Sequence, residues 1–468
     1  MTPRLSPYLA LLLSGAAALN GQTIARVDPD IQKIVKDISP DNLAATMKKL
    51  QSFGTRGNFS DATRKDSGIG AARQWIYSQF RGYSPRLEVS FDPYNVKKQG
   101  TRILRDVEVV NVVAVLPGTT RPEQRVIVSS HYDSLNIVRK ANAPPPGAEG
   151  GEAADDVIDF EKSIEAPAPG VTDNASGTAL VMELARVMSQ YKFEKTVVFI
   201  SFAGEEIGLI GSTLYANKAQ TKGEHIEAVL NNDIVGCEAS GDGRSEGSLV
   251  HVFSEDPADS SSRELARYIR DAAQRYVPGF EAGLVFRADR FSRGGDHTPF
   301  NAAGYAAVRF TSAAENLKVQ HTANDTMDIA SPAYTANVAR INAAAAASLA
   351  NAPSPPQTVR EIMTGSAKGR KVPNLSRGAS KYDAILRWKD PQPADDLAGY
   401  AIVVRSTTAP YWDHEIFAGK VNEFTLPGLS VDDVILGVKA IDLQGHESLV
   451  SPYNATPYQV KKIELAAP

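Results

Sequence analysis

The sequence predicts an α/β protein with a mixed, largely parallel sheet sandwiched by helices, followed by an all-β sandwich. Up to about residue 352, apolar runs of strand length alternate with stretches of helical spacing, which is typical of a sheet that contains parallel strands. Beyond about residue 357 the apolar residues alternate with period two between turn residues, which is typical of short antiparallel strands. The change of period predicts two structural domains.

Length and composition agree with this division. The chain has 468 residues, of which 43% are hydrophobic and 22% are charged, as in ordinary globular proteins. This length predicts two or three domains, each large enough to bury its own core. The 50 basic and 54 acidic residues give a net charge of -4. We therefore predict no nucleic-acid partner, because nucleic-acid binding favours a strongly basic surface.

Residues 1–20 have the pattern of a secretory signal peptide. Arg4 precedes an apolar run at 8–13, and small residues follow at 16–18. The run is too short and too interrupted for a membrane-spanning helix, so we expect no stable membrane insertion. Because Cys237 is the only cysteine, no intramolecular disulfide is possible. Both features predict a secreted or periplasmic, bacterial protein, with a cytosolic chain that begins with apolar residues as the alternative.

Residues 30–352 are predicted to form the first domain. The strand candidates lie at 126–128, 197–200, 228–230 and 306–310, and the helix candidates at 177–190, 262–276 and 332–351. Residues 142–170 interrupt this pattern, because they are rich in Pro, Gly, Ala and acidic residues and offer little to bury. We expect them to form a mobile insertion.

The second domain is predicted at 358–456, after a stiff Pro-rich linker at 353–357. Trp388, the strand patterns and the ending at 440–448 resemble a fibronectin type III domain, which is an immunoglobulin-like sandwich. The tyrosine usual in that domain is absent, with Val434 and Ile435 in its place. This domain is expected to contact the first domain or a surface polymer.

Five candidate metal ligands follow strand candidates or open a helix. In an open α/β sheet, loops after the carboxyl ends of parallel strands meet in one crevice, so these side chains are expected to converge. The five are His131, Asp173, Glu206, Asp233 and His321. Imidazoles and carboxylates without thiolates suit Zn²⁺, and two His with three carboxylates suit two ions that share one bridging group.

The residue types also suggest separate roles. Asp173 is the natural bridge between two ions. Because neighbouring side chains cannot point the same way, one of Glu205 and Glu206 can bind metal while the other acts as a base. Asp133, two residues after His131, could accept the second ring N–H of that histidine and fix its tautomer. The alternative for Asp133 is an ordinary turn aspartate.

In order along the chain, these motifs resemble the zinc exopeptidases of the bacterial leucyl aminopeptidase type, family 28 of the metallopeptidases. The resemblance extends over about residues 100 to 350. The motifs that carry it are His131-Tyr132-Asp133, Asp173-Asn174-Ala175-Ser176-Gly177, Gly204-Glu205-Glu206, Asn232-Asp233 and Gln320-His321-Thr322. It implies the phosphorylase/hydrolase-like fold of zinc exopeptidases and two Zn²⁺ ions.

The resemblance also implies the role of each residue. One zinc would be bound by His131, Asp173 and Asp233, and the other by Asp173, Glu206 and His321. Glu205 would be the general base that takes a proton from the water between the ions as it attacks the scissile carbonyl. Asp296, in a segment similar to the family's Asp-His-x-x-Phe motif, would support the ligands, and in the related glutaminyl cyclases the matching aspartate is catalytic.

Two departures from the family pattern stand out. No tyrosine lies at 311–320, where such peptidases commonly carry one to assist the oxyanion; Tyr132 or Tyr305 could replace it, or zinc could suffice. The 41 residues between His131 and Asp173 exceed the usual spacing, which makes the insertion a candidate lid, with a surface loop as the alternative.

The sequence therefore predicts a secreted or periplasmic zinc aminopeptidase that acts on peptides or proteins. A carboxypeptidase is an alternative in which Arg287, Arg290 and Arg293 would hold the substrate carboxylate, whereas Glu315 is a candidate for binding a free amine. A glutaminyl cyclase with one zinc is a second alternative, and an inactive receptor or adhesion ectodomain is a third.

Overall fold

The computed structural model describes residues 27–143, 155–255, 261–287, 294–364, 369–390 and 395–454. The predicted signal peptide lies outside these residues, as do Arg290, Arg293 and positions 144–154 of the insertion. The chain divides into two compact units, Val27–Asn351 and a second whose described residues begin at Ala352.

The first unit is built on an eight-stranded sheet with the order β1-β2-β4-β3-β5-β8-β6-β7. Strands β3, β4, β5 and β8 are mutually parallel, and β1, β2 and β6 join the sheet by antiparallel pairs. The strands are β1 Glu88–Val96, β2 Val107–Leu116, β3 Arg121–His131, β4 Lys195–Phe202, β5 His225–Asn232, β6 Leu249–Ser254, β7 Glu281–Phe286 and β8 Ala307–Ser312. The mixed, largely parallel sheet predicted from the sequence is confirmed.

The central strands are hydrophobic because helices cover both faces of the sheet. Every residue of β4 and of β8 is buried, as expected for parallel strands between two helical layers. Since β3, β4, β5 and β8 run in the same direction, their carboxyl ends meet at one edge. The loops that follow these four strands therefore gather there.

The helices of this unit begin and end at recognisable signals. Asp28 caps the first helix by accepting from the N–H of Asp30 at 2.7 Å, and Ser39 caps the second, each followed by Pro at the first helical position. The helices are α1 Pro29–Lys36, α2 Pro40–Gln51, α3 Gly68–Tyr83, α4 Phe160–Glu165, α5 Ser176–Met188, α6 Ile210–Lys222, α7 Ser261–Tyr276, α8 His297–Ala302 and α9 Pro332–Asn351. The alanine-rich helix predicted at 332–351 is confirmed as α9, whose small side chains let it pack against α1, α5 and α7.

Residues 155–170 of the predicted insertion contain regular structure, while its mobility stays a prediction. These residues form a short 3-10 turn, Asp155–Val157, and helix α4, and Ile158 is buried to 2% exposure. The backbone of this segment is tied to the unit because Asp159 N donates to the Val138 carbonyl and Ala168 N donates to the Gly54 carbonyl. Composition had suggested little to bury, yet a few apolar side chains suffice to hold the segment in place.

The second unit consists of short antiparallel strands. They form two four-stranded sheets, β15-β14-β17-β18 and β12-β13-β16 with β9 paired to β13, and a two-stranded ribbon, β10-β11. Trp388 of β13 packs in one core with Tyr400 and Ile402 of β14. An immunoglobulin-like sandwich stays a prediction. The strands are β9 Gln357–Thr358, β10 Arg360–Ile362, β11 Lys371–Pro373, β12 Leu375–Ser376, β13 Ala384–Lys389, β14 Leu397–Ser406, β15 His414–Gly419, β16 Glu423–Leu426, β17 Val434–Asp442 and β18 Ser451–Pro452.

Among the described residues, no helix has the length and the apolar character that crossing a membrane requires.

Candidate metal centre

The predicted ligands converge at the carboxyl edge of the parallel strands. His131 is the last residue of β3, and Asp233 directly follows β5. Glu206 lies in the loop after β4, and His321 lies in the loop after β8. Asp173 comes from the turn Val171–Ala175 that leads into α5. Four strands and one helix thus bring these five side chains to one place.

The five side chains form two groups that share one carboxylate. Nε2 of His131 lies 3.3 Å from Oδ1 of Asp173 and 3.4 Å from Oδ1 of Asp233. Nε2 of His321 lies 3.1 Å from Oδ2 of Asp173 and 3.1 Å from Oε2 of Glu206. In each group the candidate ligand atoms lie within 4.8 Å of one another. Each group contains one imidazole, one carboxylate of its own and one oxygen of Asp173.

The donor atoms of these groups fit zinc. Nitrogen and carboxylate oxygen ligands, three to a group, leave room for a water or substrate in a fourth position, as in catalytic zinc sites. Oε1 of Glu206 is buried and has no hydrogen-bond partner among the described residues. So dense a set of buried carboxylates is stable only with compensating positive charge, which a divalent cation would supply.

The two adjacent glutamates occupy different environments. Glu206 is buried at 5% exposure, whereas Glu205 keeps part of its surface accessible. Glu205 also lies within 4.8 Å of His131 and Glu206 through its candidate ligand atoms. Withdrawal from water raises the pKa of Glu205 well above its usual range, and the neighbouring Asp233, Glu206 and Asp296 add to this effect. A carboxylate with such a raised pKa accepts a proton readily.

Asp133 organises two of the ligand-bearing segments. Its Oδ1 lies 3.5 Å from Nδ1 of His131, and its backbone carbonyl lies 3.2 Å from the same nitrogen. Its carboxylate also accepts from the backbone N–H of Glu206 at 3.2 Å. Asn58 donates to Oδ2 of Asp133 at 2.7 Å. Asp133 therefore lies where its predicted role requires, on the side of the His131 ring opposite Nε2.

The turn that carries Asp173 is held by Asp325, which the sequence analysis missed. Oδ1 of Asp325 accepts from N and Oγ1 of Thr172, both at 2.8 Å, and Oδ2 accepts from N of Asp173 at 3.0 Å. The peptide bond between Asp173 and Asn174 is cis. Burial raises the pKa of Asp325 to about 6 despite these hydrogen bonds. The Thr172 and Asp173 amides thus receive their partner from a loop about 150 residues further along the chain.

Arg56 is a second support that the sequence did not reveal. It is fully buried, and its Nε donates to the Tyr132 carbonyl at 2.7 Å. Nη1 donates to the Pro169 carbonyl at 2.7 Å, and Nη2 donates to the Gly170 carbonyl at 2.8 Å. Burial lowers the pKa of Arg56 to about 10, although the surrounding carboxylates oppose that shift. One guanidinium thus joins the end of β3 to the segment just before Asp173.

Arg309 lies on the other side of the centre. Its Nη1 lies 3.0 Å from Oδ2 of Asp233 and donates to the Gly294 carbonyl at 2.6 Å. Burial alone would raise the pKa of Asp233, but Arg309 and His131 outweigh it and lower the value. The signal in the sequence was an arginine between Val308 and Phe310 of the buried strand β8, because a buried Arg must have a partner.

Asp296 also lies at the centre. It is fully buried, and neither carboxylate oxygen has a hydrogen-bond partner in the part of the chain that the structure describes. Burial raises its pKa to about 7, with Asp133 and Asp233 adding to the rise. The predicted position near the ligands is therefore observed, and its supporting role stays a prediction.

Neither tyrosine proposed to replace the family's oxyanion-assisting residue can do so in this structure. The hydroxyl of Tyr132 is buried and donates to the Val110 carbonyl of β2 at 2.8 Å. The hydroxyl of Tyr305 donates to the Glu224 carbonyl at 3.1 Å, just before the amino end of β5. Of the three alternatives, the one in which zinc suffices stays a prediction.

Three residues around the centre have left-handed backbone although none is glycine. These are Leu209 (φ 58°), Ile234 (φ 59°) and His321 (φ 55°). Ile234 directly follows Asp233, and a β-branched residue rarely adopts this conformation. The backbone around the centre is therefore held in positions that its own side chains disfavour.

A buried group of imidazoles and carboxylates at the carboxyl edge of an α/β sheet defines a metal-dependent hydrolase centre. Residues 111–346 match the model of peptidase family M28. Two fungal relatives are described as probable zinc metalloproteases. The one from Pyricularia oryzae is 36% identical, and the match covers 90% of this chain and 84% of the relative. The one from Leptosphaeria maculans is 34% identical, and the match covers 90% of this chain and 96% of the relative. The chain belongs to peptidase family M28 and is a zinc metallopeptidase.

Solved structures agree with the fold. LapB from Legionella pneumophila superposes with a TM-score of 0.51 at 21% identity, over 69% of this chain and 75% of that one. A glutaminyl cyclase from Macrostomum lignano superposes with a TM-score of 0.50 at 15% identity, and the match covers 70% of this chain and 94% of the cyclase chain. These likenesses show the fold, and the fold alone does not identify the activity.

Proposed function

We propose that this zinc metallopeptidase is an aminopeptidase with two zinc ions. The observation that carries the proposal is the position of Asp173, whose two oxygens face the two ligand groups separately. His131 and Asp233 would complete one site, and Glu206 and His321 would complete the other. When bound, the ions would polarise the scissile carbonyl and lower the pKa of a coordinated water.

Glu205 is the general base in this proposal. Its raised pKa and its partial exposure beside the ligand groups suit a carboxylate that accepts a proton during attack and delivers it to the leaving amine. Glu206 is unsuited to that role because its Oε2 faces His321 within the second group. Asp133 would hold His131 with Nε2 directed at the first site.

The charge of the centre supports an aminopeptidase. The two ions would neutralise the carboxylates of Asp173, Glu206 and Asp233, and Glu205 and Asp296 lie beside them as further acidic side chains for a substrate ammonium group. The buried arginines nearby are engaged: Arg56 binds backbone carbonyls, and Arg309 binds Asp233. Among the described residues at the centre, therefore, the acidic side chains outnumber the cations that could hold a substrate carboxylate.

Two features outside the centre complete the proposal. The N-terminal pattern supports secretion through a signal peptide at 1–20, in a bacterial or a fungal host. The strand pattern and shared core of the second unit support a fibronectin type III-like domain.

The test is hydrolysis of a panel of aminoacyl chromogenic amides, their N-blocked counterparts and C-terminal dipeptides, with zinc measured by mass spectrometry in the same sample. The proposal expects about two zinc ions per chain and cleavage of free-amine substrates alone. Cleavage of blocked substrates from the carboxyl end would replace it with a carboxypeptidase. About one zinc with cyclisation of N-terminal glutamine and no hydrolysis would replace it with a glutaminyl cyclase.

A further inference from the structure

Gln320 directly precedes His321, and its side chain contacts the carboxylate that the two ligand groups share. Its Nε2 donates to Oδ2 of Asp173 at 2.8 Å. Since a carboxylate can only accept, the amide nitrogen of Gln320 and not its oxygen must face Asp173. Oδ2 is also the oxygen that lies 3.1 Å from Nε2 of His321, in the group with Glu206. Two adjacent side chains therefore meet at one oxygen of the shared carboxylate.

The backbone of the loop after β8 directs both side chains to the same place. In an extended chain, neighbouring side chains point to opposite faces. His321 instead has left-handed backbone, with φ 55°, and its carbonyl accepts from the N–H of Ile137 at 2.9 Å. The N–H of Thr322 donates back to the Val319 carbonyl at 3.1 Å. The loop is thus held in a turn from which both side chains reach Asp173.

The same loop also holds the backbone of Asp173. Asp325 accepts from the N–H of Thr172 at 2.8 Å and from the N–H of Asp173 at 3.0 Å. Asp325 therefore fixes the main chain of the shared residue, while Gln320 holds one of its carboxylate oxygens. The two contacts are separate, because one engages the backbone and the other the side chain.

A carboxylate that bridges two ions needs a fixed orientation. The terminal torsion of an aspartate side chain is broad, so the rotamer alone does not decide which oxygen faces which ion. Among the described residues, the other side chains that donate to the Asp173 carboxylate are the imidazoles of His131 and His321. An imidazole nitrogen that binds zinc has lost its proton and no longer donates. The amide of Gln320 is then the side-chain donor that remains.

We propose that Gln320 is a positioning residue for the second zinc ion, because its amide holds Oδ2 of Asp173 toward Glu206 and His321. This inference rests on the two-zinc function proposed above. Loss of a hydrogen bond to a metal-binding group typically lowers metal affinity about 10- to 100-fold. Because Oδ1 of Asp173 faces His131 instead, the loss should fall on the second ion. The amide is neutral, so it orients the carboxylate without adding a positive charge that would oppose a cation.

The test measures both zinc affinities by competition with a chelator at one pH. Gln320→Met keeps the length of the side chain without a donor, and Gln320→Asn keeps the amide but is one methylene shorter. Both should weaken binding of the second ion at least about tenfold and of the first less than about threefold. Gln220→Met is the matched control and should change neither affinity, because Gln220 donates to the Ala303 carbonyl at 2.9 Å, outside the centre.

A double-mutant cycle identifies the ion concerned. His321→Ala removes a ligand of the second ion and leaves those of the first, so adding Gln320→Met should not further weaken the zinc that remains. An equal loss of affinity in this background would overturn the proposal, because Gln320 would then act on the whole centre. Unchanged affinities in Gln320→Met alone would also overturn it.

Activity and stability give two independent measurements. Raising free zinc about tenfold should return hydrolysis by Gln320→Met to within about threefold of the wild type, since only binding is weakened. A deficit that zinc does not restore would contradict the positioning role. The metal-free Gln320→Met and Gln220→Met proteins should have similar Tm values. A lower Tm in Gln320→Met alone would attribute the loss of zinc to folding and overturn the proposal.

The stoichiometry of the wild type separates this inference from the proposed function. A wild type that binds one zinc ion would refute the two-zinc function. Gln320→Met is then compared with the wild type at that single ion. An affinity at least about tenfold lower would still support the contact with Asp173, whereas an unchanged affinity would overturn it.

Discussion

At the scale of single residues, the adjacent glutamates should respond differently to the same substitution. Glu205→Gln removes the proposed base but no atom of the two proposed zinc sites, so zinc content should stay near two per chain while kcat falls at least about a hundredfold. Glu206→Gln, its matched control, weakens a ligand and should lower zinc affinity at least about tenfold. Activity that survives Glu205→Gln, measured with zinc content on the same sample, would remove Glu205 from the mechanism.

Zinc binding should weaken in acid. Burial alone would lower the pKa of His131 and His321, but the surrounding carboxylates outweigh it and raise both values well above the usual range. Burial raises the pKa of Glu206 to about 7. Each ligand must lose its proton to bind a cation, so protons compete with zinc increasingly as pH falls.

Competition titrations against a chelator between about pH 8 and 6 should show at least about a tenfold loss of zinc affinity per pH unit. A constant affinity over that range would show that the imidazoles are already deprotonated.

The convergence of the candidate ligands and of Asp133 was predictable from sequence, whereas the contacts of Asp325 and Arg56 were not. His131, Asp233 and Glu206 follow apolar strand runs directly or within a few residues, so the rule for parallel strands brings them together. Asp325 lies in no comparable pattern, and Arg56 lies in a loop near the N-terminus. Their contacts depend on how distant loops pack, which residue type and spacing do not encode.

At the scale of structural elements, Arg56 joins the end of β3 to the segment before α5. Arg56→Lys should lower the free energy of unfolding by about 2 to 4 kcal/mol, because one ammonium cannot replace three directed donors to buried carbonyls. Zinc affinity should fall as well, since the two segments carry His131 and Asp173.

Arg86→Lys is the matched control for this experiment. Nη1 of Arg86 also donates to backbone carbonyls, those of Ser189 and Tyr191, but these lie after α5 and away from the ligands. Denaturant unfolding and zinc titration of both variants should show a loss of zinc affinity in Arg56→Lys alone. Equal affinity in the two variants would mean that Arg56 has no particular connection to the metal centre.

Helix and strand assignments succeeded where the pattern was long and regular. The alanine-rich stretch at 332–351 coincides with α9, and the apolar runs at 197–200 and 228–230 lie within β4 and β5. The helix at 160–165, within the insertion predicted at 142–170, was not recognised because composition averages over a segment. A few well-placed apolar residues, such as Ile158, are enough to order it.

At the scale of the whole molecule, all candidate metal ligands belong to the unit Val27–Asn351. This unit has its own sheet and core. We expect a chain that ends at Asn351 to bind the same number of zinc ions and to cleave small aminoacyl amides as the full-length protein does. Loss of zinc from a truncated chain whose circular dichroism spectrum remains native would show that the second unit contributes to the centre.

The topology of the first unit was only partly predictable. Alternating strands and helices indicated parallel strands, but the order β1-β2-β4-β3-β5-β8-β6-β7 was not inferable from one sequence. Strand order depends on which crossovers pack most favourably, and many orders share one sequence pattern. The single cysteine suggested bacteria, while the two relatives described above are fungal, so the compartment and host stay predictions.

The left-handed residues beside the ligands have a consequence for protein engineering. Each such conformation costs about 1 to 3 kcal/mol, and glycine would relieve it. At Ile234, however, the side chain is buried, and its removal would cost more stability than the relieved strain returns. Directed evolution for heat resistance would therefore retain isoleucine there, and every heat-hardened descendant would inherit the strained backbone next to Asp233.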